Sequence, residues 1–310
     1  MAGYKIKVRL GRMVLDKPLI GASGLCGFGP ELKEFADLRD IGAITTKTVT
    51  LYPRQGNKPP RIVEVDNGVL NSIGLQNPGV DVFLKEKLPL LKKLPVKFIV
   101  SIAADTLEEF AVITRKLREK KEIEAIELNL SCPNVKTKRL ISQDKAMTYQ
   151  VVKRAKEIFE RTVIAKLTPE VTDIGEVAAG VEKGGGDAIS LVNTFYGLAI
   201  NIDTKKSYLG NVYGGYSGPA VKPQSLYRVW QVSRRVKIPV IGGGGIFDGS
   251  DAVEFFLAGA RLVSIGTLLL VNANAAGRVL KGLLGYMKKN KIYNIARFPR
   301  MSEKSDDRQY

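Results

Sequence analysis

The chain has 310 residues, 45% hydrophobic and 25% charged, a composition that excludes general disorder. It holds no histidine and only two distant cysteines, Cys26 and Cys132, which excludes Ser-His-Asp and Cys-His catalysis, histidine zinc sites, a disulfide framework and a self-contained iron–sulfur cluster, and fits a reducing, cytoplasmic setting. The formal charge of +17 is spread along the chain, concentrated only at Lys136, Lys138, Arg139 and after Met287, so it reads as a solvated surface of the kind enriched in hyperthermophiles and predicts neither a nucleic-acid nor a membrane partner.

In chain order, residues 1–16 alternate apolar and basic side chains without the continuous apolar run of a secretory signal. With Gly11 at its middle, this segment predicts a hairpin placed to close the bottom of a barrel. Short apolar runs then predict strands at 19–22, 43–48, 97–103, 125–130, 163–167, 188–193, 240–243 and 262–265. Amphipathic stretches predict helices at 106–120, 143–160, 173–183, 223–236 and 248–258, with Asp173 and Asp248 as N-caps and Pro223 in a first turn. Eight strands alternating with helices predict a single α/β domain over 1–310, a (β/α)8 TIM barrel. The structural alternative, a doubly wound sheet, lacks its early glycine fingerprint here. Two long loops, 50–76 and 195–217, are expected at the C-terminal face of the strands, and residues 297–310 are expected to form a mobile tail. The apolar stretch 262–271 is interrupted by Ser264 and Gly266 and is too short to span a bilayer.

A barrel builds its site at the C-terminal strand ends. Here those ends carry polar or very small residues: Ala22 and Ser23, Lys47, Ser101, Asn129 with Cys132, Lys166, Asn193 and Thr194, Gly244 and Gly245, Gly266 and Thr267. One lysine in an apolar strand context reads as outward-facing or paired; two at equivalent ends favour an anionic cofactor. Glycines after the last two strands suit a phosphate, although tight turns need glycine in any case. Free cysteine is more often inert packing, which is the reading for Cys26, but polar neighbours and Pro133 make Cys132 the best proton-transfer candidate in a chain without histidine. Asn71, Asn129, Asn134 and Asn193 read either as turn residues or as an amide-lined pocket suited to an imide ring. No metal-ligand cluster is expected.

The segments NSIGLQNPGVDVFL, ELNLSCPNVK, KLTPEVTDI, YSGPAVKP and IGGGGI together resemble the class 1 dihydroorotate dehydrogenases, most closely the class 1B catalytic subunit. The resemblance implies an FMN-binding barrel that oxidises dihydroorotate to orotate in pyrimidine biosynthesis. By position it implies that Cys132 removes the C5 proton while the C6 hydride passes to flavin N5, and that Lys47 contacts both flavin and substrate. Asn71, Ser72, Ile73, Gly74, Leu75, Asn129, Asn134, Asn193 and Thr194 match substrate positions. Ala22, Ser23, Lys47, Thr48, Ser101, Asn129, Lys166, Val192, Gly218, Gly244, Gly245, Gly266 and Thr267 match cofactor positions, with Ser101 standing where the family usually has Asn. It further implies a homodimeric core and a partner subunit that carries FAD and an iron–sulfur cluster and passes electrons to NAD. The segment after Asn134 and the sequence GTLLLVNANA depart from the family's usual pattern. Two rival readings are a tRNA dihydrouridine synthase-like barrel, which shares a Cys-Pro motif, and a non-catalytic flavin-binding protein. The asparagine loop argues against the first, and Lys47 with Cys132 against the second.

Overall fold

The computed structural model describes residues 3–29, 31, 37–131 and 140–302. Cys132, Asn134 and residues 303–310 lie outside the described residues. Eight parallel strands form a closed barrel: β1 (Leu19–Gly21), β2 (Ala43–Thr45), β3 (Lys97–Ile102), β4 (Ala125–Asn129), β5 (Thr162–Lys166), β6 (Ala188–Leu191), β7 (Val240–Gly243) and β8 (Leu262–Ile265). They pair in chain order, and β8 returns to β1 through Val263 opposite Leu19 and Ile265 opposite Gly21. This is the (β/α)8 TIM barrel expected from the alternation of elements.

The helices against the outside are α1 (Leu107–Arg118), α2 (Lys145–Ile158), α3 (Ile174–Lys183), α4 (Lys222–Arg235), α5 (Gly249–Leu257), the short α6 (Thr267–Val271) and α7 (Ala276–Lys289). Their starts follow from local chemistry. Asp173 accepts from Gly175 N–H and Glu176 N–H, and Asp248 from Ser250 N–H and Asp251 N–H, which satisfies donors that a helix leaves open. Thr106 and Asp144 do the same for α1 and α2. Pro223 stands in the first turn of α4, where no N–H is required. Among the described residues no helix is long and apolar enough to cross a membrane.

Six strands end earlier than their apolar runs, β1, β3, β4 and β5 by a single residue. β2 stops at Thr45 because the Lys47 N–H turns to the carbonyl of Gly27. β6 stops at Leu191, and the next peptide, Leu191–Val192, is cis. β1 stops at Gly21 before the turn that carries Ser23 and Gly24.

The barrel interior has an apolar floor. Ile20, Ala43, Ile99, Ala125, Ile164, Ala188, Ile241 and Leu262, one from each strand, pack into a cluster with Leu10, Met13 and Leu15. Those three come from an antiparallel hairpin, Val8–Leu10 with Met13–Leu15, turned at Gly11 with φ 52°. The hairpin closes the bottom of the barrel, as expected. Thr162 latches it: the hydroxyl donates to Leu10 O at 2.9 Å and accepts from Met13 N at 3.0 Å and Arg12 N at 3.1 Å.

The two long segments at the opposite face differ from the loops expected of them. They fold together into a four-stranded antiparallel sheet in the order Phe195–Gly197, Gly214–Ser217, Gly68–Asn71, Ile62–Val65. The physical reason is pairing across sequence: Gly68–Asn71 bonds Ile62–Val65 through a tight hairpin and then receives Gly214–Ser217 on its other edge. The packed chain also continues past Arg297, where a loose tail was expected. Phe298 is buried, with its ring 5.0 Å from Phe256 and 5.8 Å from Tyr286, and Met301 N–H donates to Leu257 O.

The Thr162 latch generates a test. Thr162→Val keeps the shape but leaves the buried Met13 N–H and Leu10 carbonyl without their partner, at a cost of about 2 kcal/mol. A lower denaturation midpoint is expected, with Thr162→Ser close to wild type; equal midpoints for valine and wild type would show that the latch carries no stability.

Candidate active site

Alternation along each strand puts residues i and i+2 on one face. Two residues above the apolar floor, the inward row changes character to Ala22, Ser101, Glu127, Lys166, Ser190, Gly243 and Ser264. Above that row lies an elongated cavity of about 260 Å³. Twelve of the expected site residues line it: Ala22, Ser23, Asn71, Ile73, Lys166, Val192, Asn193, Thr194, Gly244, Gly245, Gly266 and Thr267.

One end of the cavity is made for an anion. Gly244 and Gly245 have φ of 112° and 86°, a region that side chains rarely adopt, and they expose main chain directly after β7. Gly266 precedes α6, and the Thr267 hydroxyl is held by Ser217 Oγ at 2.9 Å. Successive N–H groups in such turns bind phosphate. At Gly245 a Cβ would stand 2.8 Å from the Lys222 main chain, so any side chain would push the turn out of place.

A network of short polar side chains reaches the cavity at Ser23 and Asn193. Ser23 Oγ donates to Thr46 O at 2.8 Å and lies 3.3 Å from Thr48 Oγ1. Thr48 Oγ1 is 3.0 Å from Ser101 Oγ and accepts from Asn129 Nδ2 at 3.4 Å. Asn129 Oδ1 accepts from Asn193 Nδ2 at 3.3 Å. Thr48, Ser101 and Asn129 thus sit behind the cavity wall and orient the residues that form it.

Lys166 projects from the end of β5 into the cavity and Lys47 is half-buried beyond β2. Neither has a carboxylate within ion-pair distance among the described residues. Burial lowers the Lys47 pKa, the neighbouring Arg61 guanidinium lowers it further, and Glu31 opposes both. A lysine inside a cavity that ends in glycine turns forms the donor set of an anionic cofactor such as FMN, and the residues present fit that group.

Four expected residues have other surroundings. Ser72 is buried and its hydroxyl accepts from Asn57 Nδ2 at 2.8 Å and Asn211 Nδ2 at 3.3 Å, so it braces the roof rather than lining the cavity. Gly74 and Leu75 form the turn behind Ile73, both with positive φ. Gly218, at φ 133°, approaches the Asn67 carbonyl so closely that no side chain fits. Asn71 lines the cavity and is steadied by donating to Gly215 O at 3.1 Å.

Several residues were not singled out from sequence. Ser190 and Ser264 line the cavity from β6 and β8, and Leu25, Ile62, Val69, Phe247 and Leu270 supply its apolar walls. The signal for the serines was available: each is a polar residue at an inward position of an otherwise apolar strand, AISL and LVSI. Arg61 is the other. It braces the loop by donating to Asn57 O at 2.5 Å, Gln76 Oε1 at 2.9 Å and Gln55 O at 3.0 Å, and brings its charge near Lys47.

The chain matches the family model for dihydroorotate dehydrogenase over residues 5–287. Similar curated proteins include the dihydroorotate dehydrogenase B (NAD(+)) catalytic subunits of Thermoanaerobacter pseudethanolicus, 46% identical over 94% of this chain and 96% of that one. Those of Geobacter sulfurreducens, 45% identical over 94% and 95%, and Carboxydothermus hydrogenoformans, 41% identical over 97% and 99%, are also similar. The protein is an oxidoreductase built on a barrel. The chain belongs to the dihydroorotate dehydrogenase family.

Cys26 is 1% exposed and burial pushes its thiol up to about 12. In the native protein a thiol reagent at about pH 8 should therefore leave Cys26 unmodified until denaturant is added. Peptide mass mapping checks this, and native labelling at Cys26 would show that its pocket opens.

Proposed function

We propose that this chain is the catalytic subunit of an NAD-linked dihydroorotate dehydrogenase, oxidising (S)-dihydroorotate to orotate in pyrimidine biosynthesis with FMN in the cavity. The observation that carries the reading is Lys166 inside a cavity that ends in glycine turns. Family membership and the names of the relatives support the substrate. When bound, FMN supplies the hydride acceptor for the substrate's C6 hydrogen.

The chain's own groups do the rest. Gly244, Gly245, Gly266 and Thr267 would hold the phosphate through main-chain N–H groups. Lys166, in the cavity, would place positive charge beside the bound cofactor, with Lys47 as the second cation of the reading, an arrangement most effective away from water. Asn71, Asn193 and, through Asn193, Asn129 present amides to the substrate's ring. Ser23, Thr48 and Ser101 keep the Asn129 amide, and through it that of Asn193, in one orientation. Cys132, outside the described residues, follows Asn129 by three positions and takes the C5 proton as a general base; its ordinary pKa of about 8.5 needs little tuning for that work. Ile62, Val69, Ile73 and Leu25 keep water from the reacting face.

With two cysteines and no histidine, this chain offers no ligand set for a second redox centre. The words catalytic subunit in the relatives' names support a route for the electrons through another polypeptide rather than directly to a small acceptor such as fumarate. In this reading the partner carries FAD and an iron–sulfur cluster, the catalytic chains form a homodimeric core, and the assembly works in the cytoplasm.

Purified protein should be yellow and should bleach on anaerobic addition of dihydroorotate; a yellow protein that does not bleach would remove the catalytic reading. Cys132→Ala should still bind orotate but reduce its flavin more slowly by roughly 10²–10⁴-fold in stopped flow. Near-normal reduction would take the base role away from Cys132. Lys47→Ala should slow the same step strongly, and an unchanged rate would show that this lysine acts elsewhere.

A further inference from the structure

Glu127 is a buried acid that the proposed chemistry leaves unused. It occupies the middle of β4, in AIELN, on the inward row two residues before Asn129, and is 4% exposed. A carboxylate enclosed by a barrel persists only if compensated or neutral. Ser101, opposite it in the β3–β4 register, donates its hydroxyl to Glu127 Oε1 at 3.3 Å. Ser190 on β6 is a second hydroxyl partner, and Lys166 on β5 is the charged group whose field reaches it. Burial pushes the carboxyl up, while Lys166 and the two serines pull it down.

The geometry sets up a competition. Lys166 lies beyond ion-pair contact with Glu127, and its side chain lines the cavity while Glu127 does not. One ammonium therefore stands between a carboxyl below and whatever anion occupies the cavity above. The hydroxyls beside it serve either state of the acid. With Glu127 ionised, Ser101 donates to it and Thr48 donates to Ser101. With Glu127 protonated, Glu127 donates to Ser101, Ser101 to Thr48, and Thr48 to Ser23, whose own proton is held by Thr46 O. Each hydroxyl donates once in both arrangements, so a proton passes between cavity wall and carboxyl without stranding a donor.

We propose that Glu127 is a redox-linked proton site beneath the cofactor cavity: it stands ionised toward Lys166 while the cavity carries no added negative charge, and takes up one proton from solvent when negative charge accumulates above the lysine. The inference rests on the flavin reading of the cavity. It makes Glu127 a positioning residue that acts through Lys166, and by linkage its proton affinity and the cofactor's electron affinity rise together.

The test is the midpoint potential of the bound flavin against pH, from about pH 6 to 9, in wild type, Glu127→Gln and Glu127→Asp. Wild type should show a segment in which the reduced-to-oxidised ratio at fixed poise falls by up to an extra tenfold per pH unit, or about 30 mV for two electrons. Glu127→Gln should lose that segment and Glu127→Asp should keep it. Ser101→Ala, which removes one donor to the ionised carboxylate, should move the segment to higher pH and covers the case in which glutamine does not fold. A second readout needs no turnover: chemical reduction of the bound flavin within that segment should take up more protons in wild type than in Glu127→Gln, measured with a pH indicator in weak buffer. Parallel potential curves for wild type and Glu127→Gln, or an unmoved segment in Ser101→Ala, would overturn the inference while leaving the flavin reading intact. Wild-type protein that holds no flavin would remove both.

Discussion

Closure of eight short parallel strands is the constraint on which this molecule depends. Strands of three to six residues have room for about two inward side chains each, so the same small interior must be both core and site. The lower row answers with eight apolar residues sealed by Leu10, Met13 and Leu15 of the hairpin. The upper row then stands on a dry floor, where a charge acts more strongly than it does at a wet surface. Sealing the bottom is thus a condition for Lys166 to matter at the top.

The site follows from that division. β7 and β8 supply glycine turns, β5 supplies Lys166, β4 supplies Asn129, and the cross-barrel hydrogen bonds through Thr48 and Ser101 tie them into one unit. Most of the basic charge lies elsewhere on the surface, partly in pairs such as Lys156 with Asp187 and Lys222 with Asp251 and Glu254. The functional share of the +17 is a few cations that lack such partners.

Much of the barrel was legible from the chain alone, because parallel strands buried on both faces read as apolar runs and the helices between them carry caps such as Asp173 and Asp248. The strand ends were less so. Lys47 and Val192 continue apolar runs, yet both lie past the ends of β2 and β6, and the Lys47 N–H turns to the Gly27 carbonyl. The roof sheet escaped notice because GVLN and GGYS are short and glycine-containing, and their pairing is decided by partners far away in the chain. Lys166, Asn193 and the phosphate glycines were legible as polar or small residues at strand ends. Ser190, Ser264 and Glu127 were passed over because they lie inside strands, where only the face they occupy, fixed by register, shows what they meet.

The roof has a kinetic consequence. Gly215 bonds Asn71 across 144 residues of chain, so the sheet that holds Asn71, Ile73 and Thr194 over the cavity brings together segments that start far apart. Its loop-closure entropy is recovered only once β2 through β6 have already drawn those segments to one face. β3 through β6, which lie between the two segments in the chain, are therefore the template on which the roof is laid, and the site is closed only after they have come together.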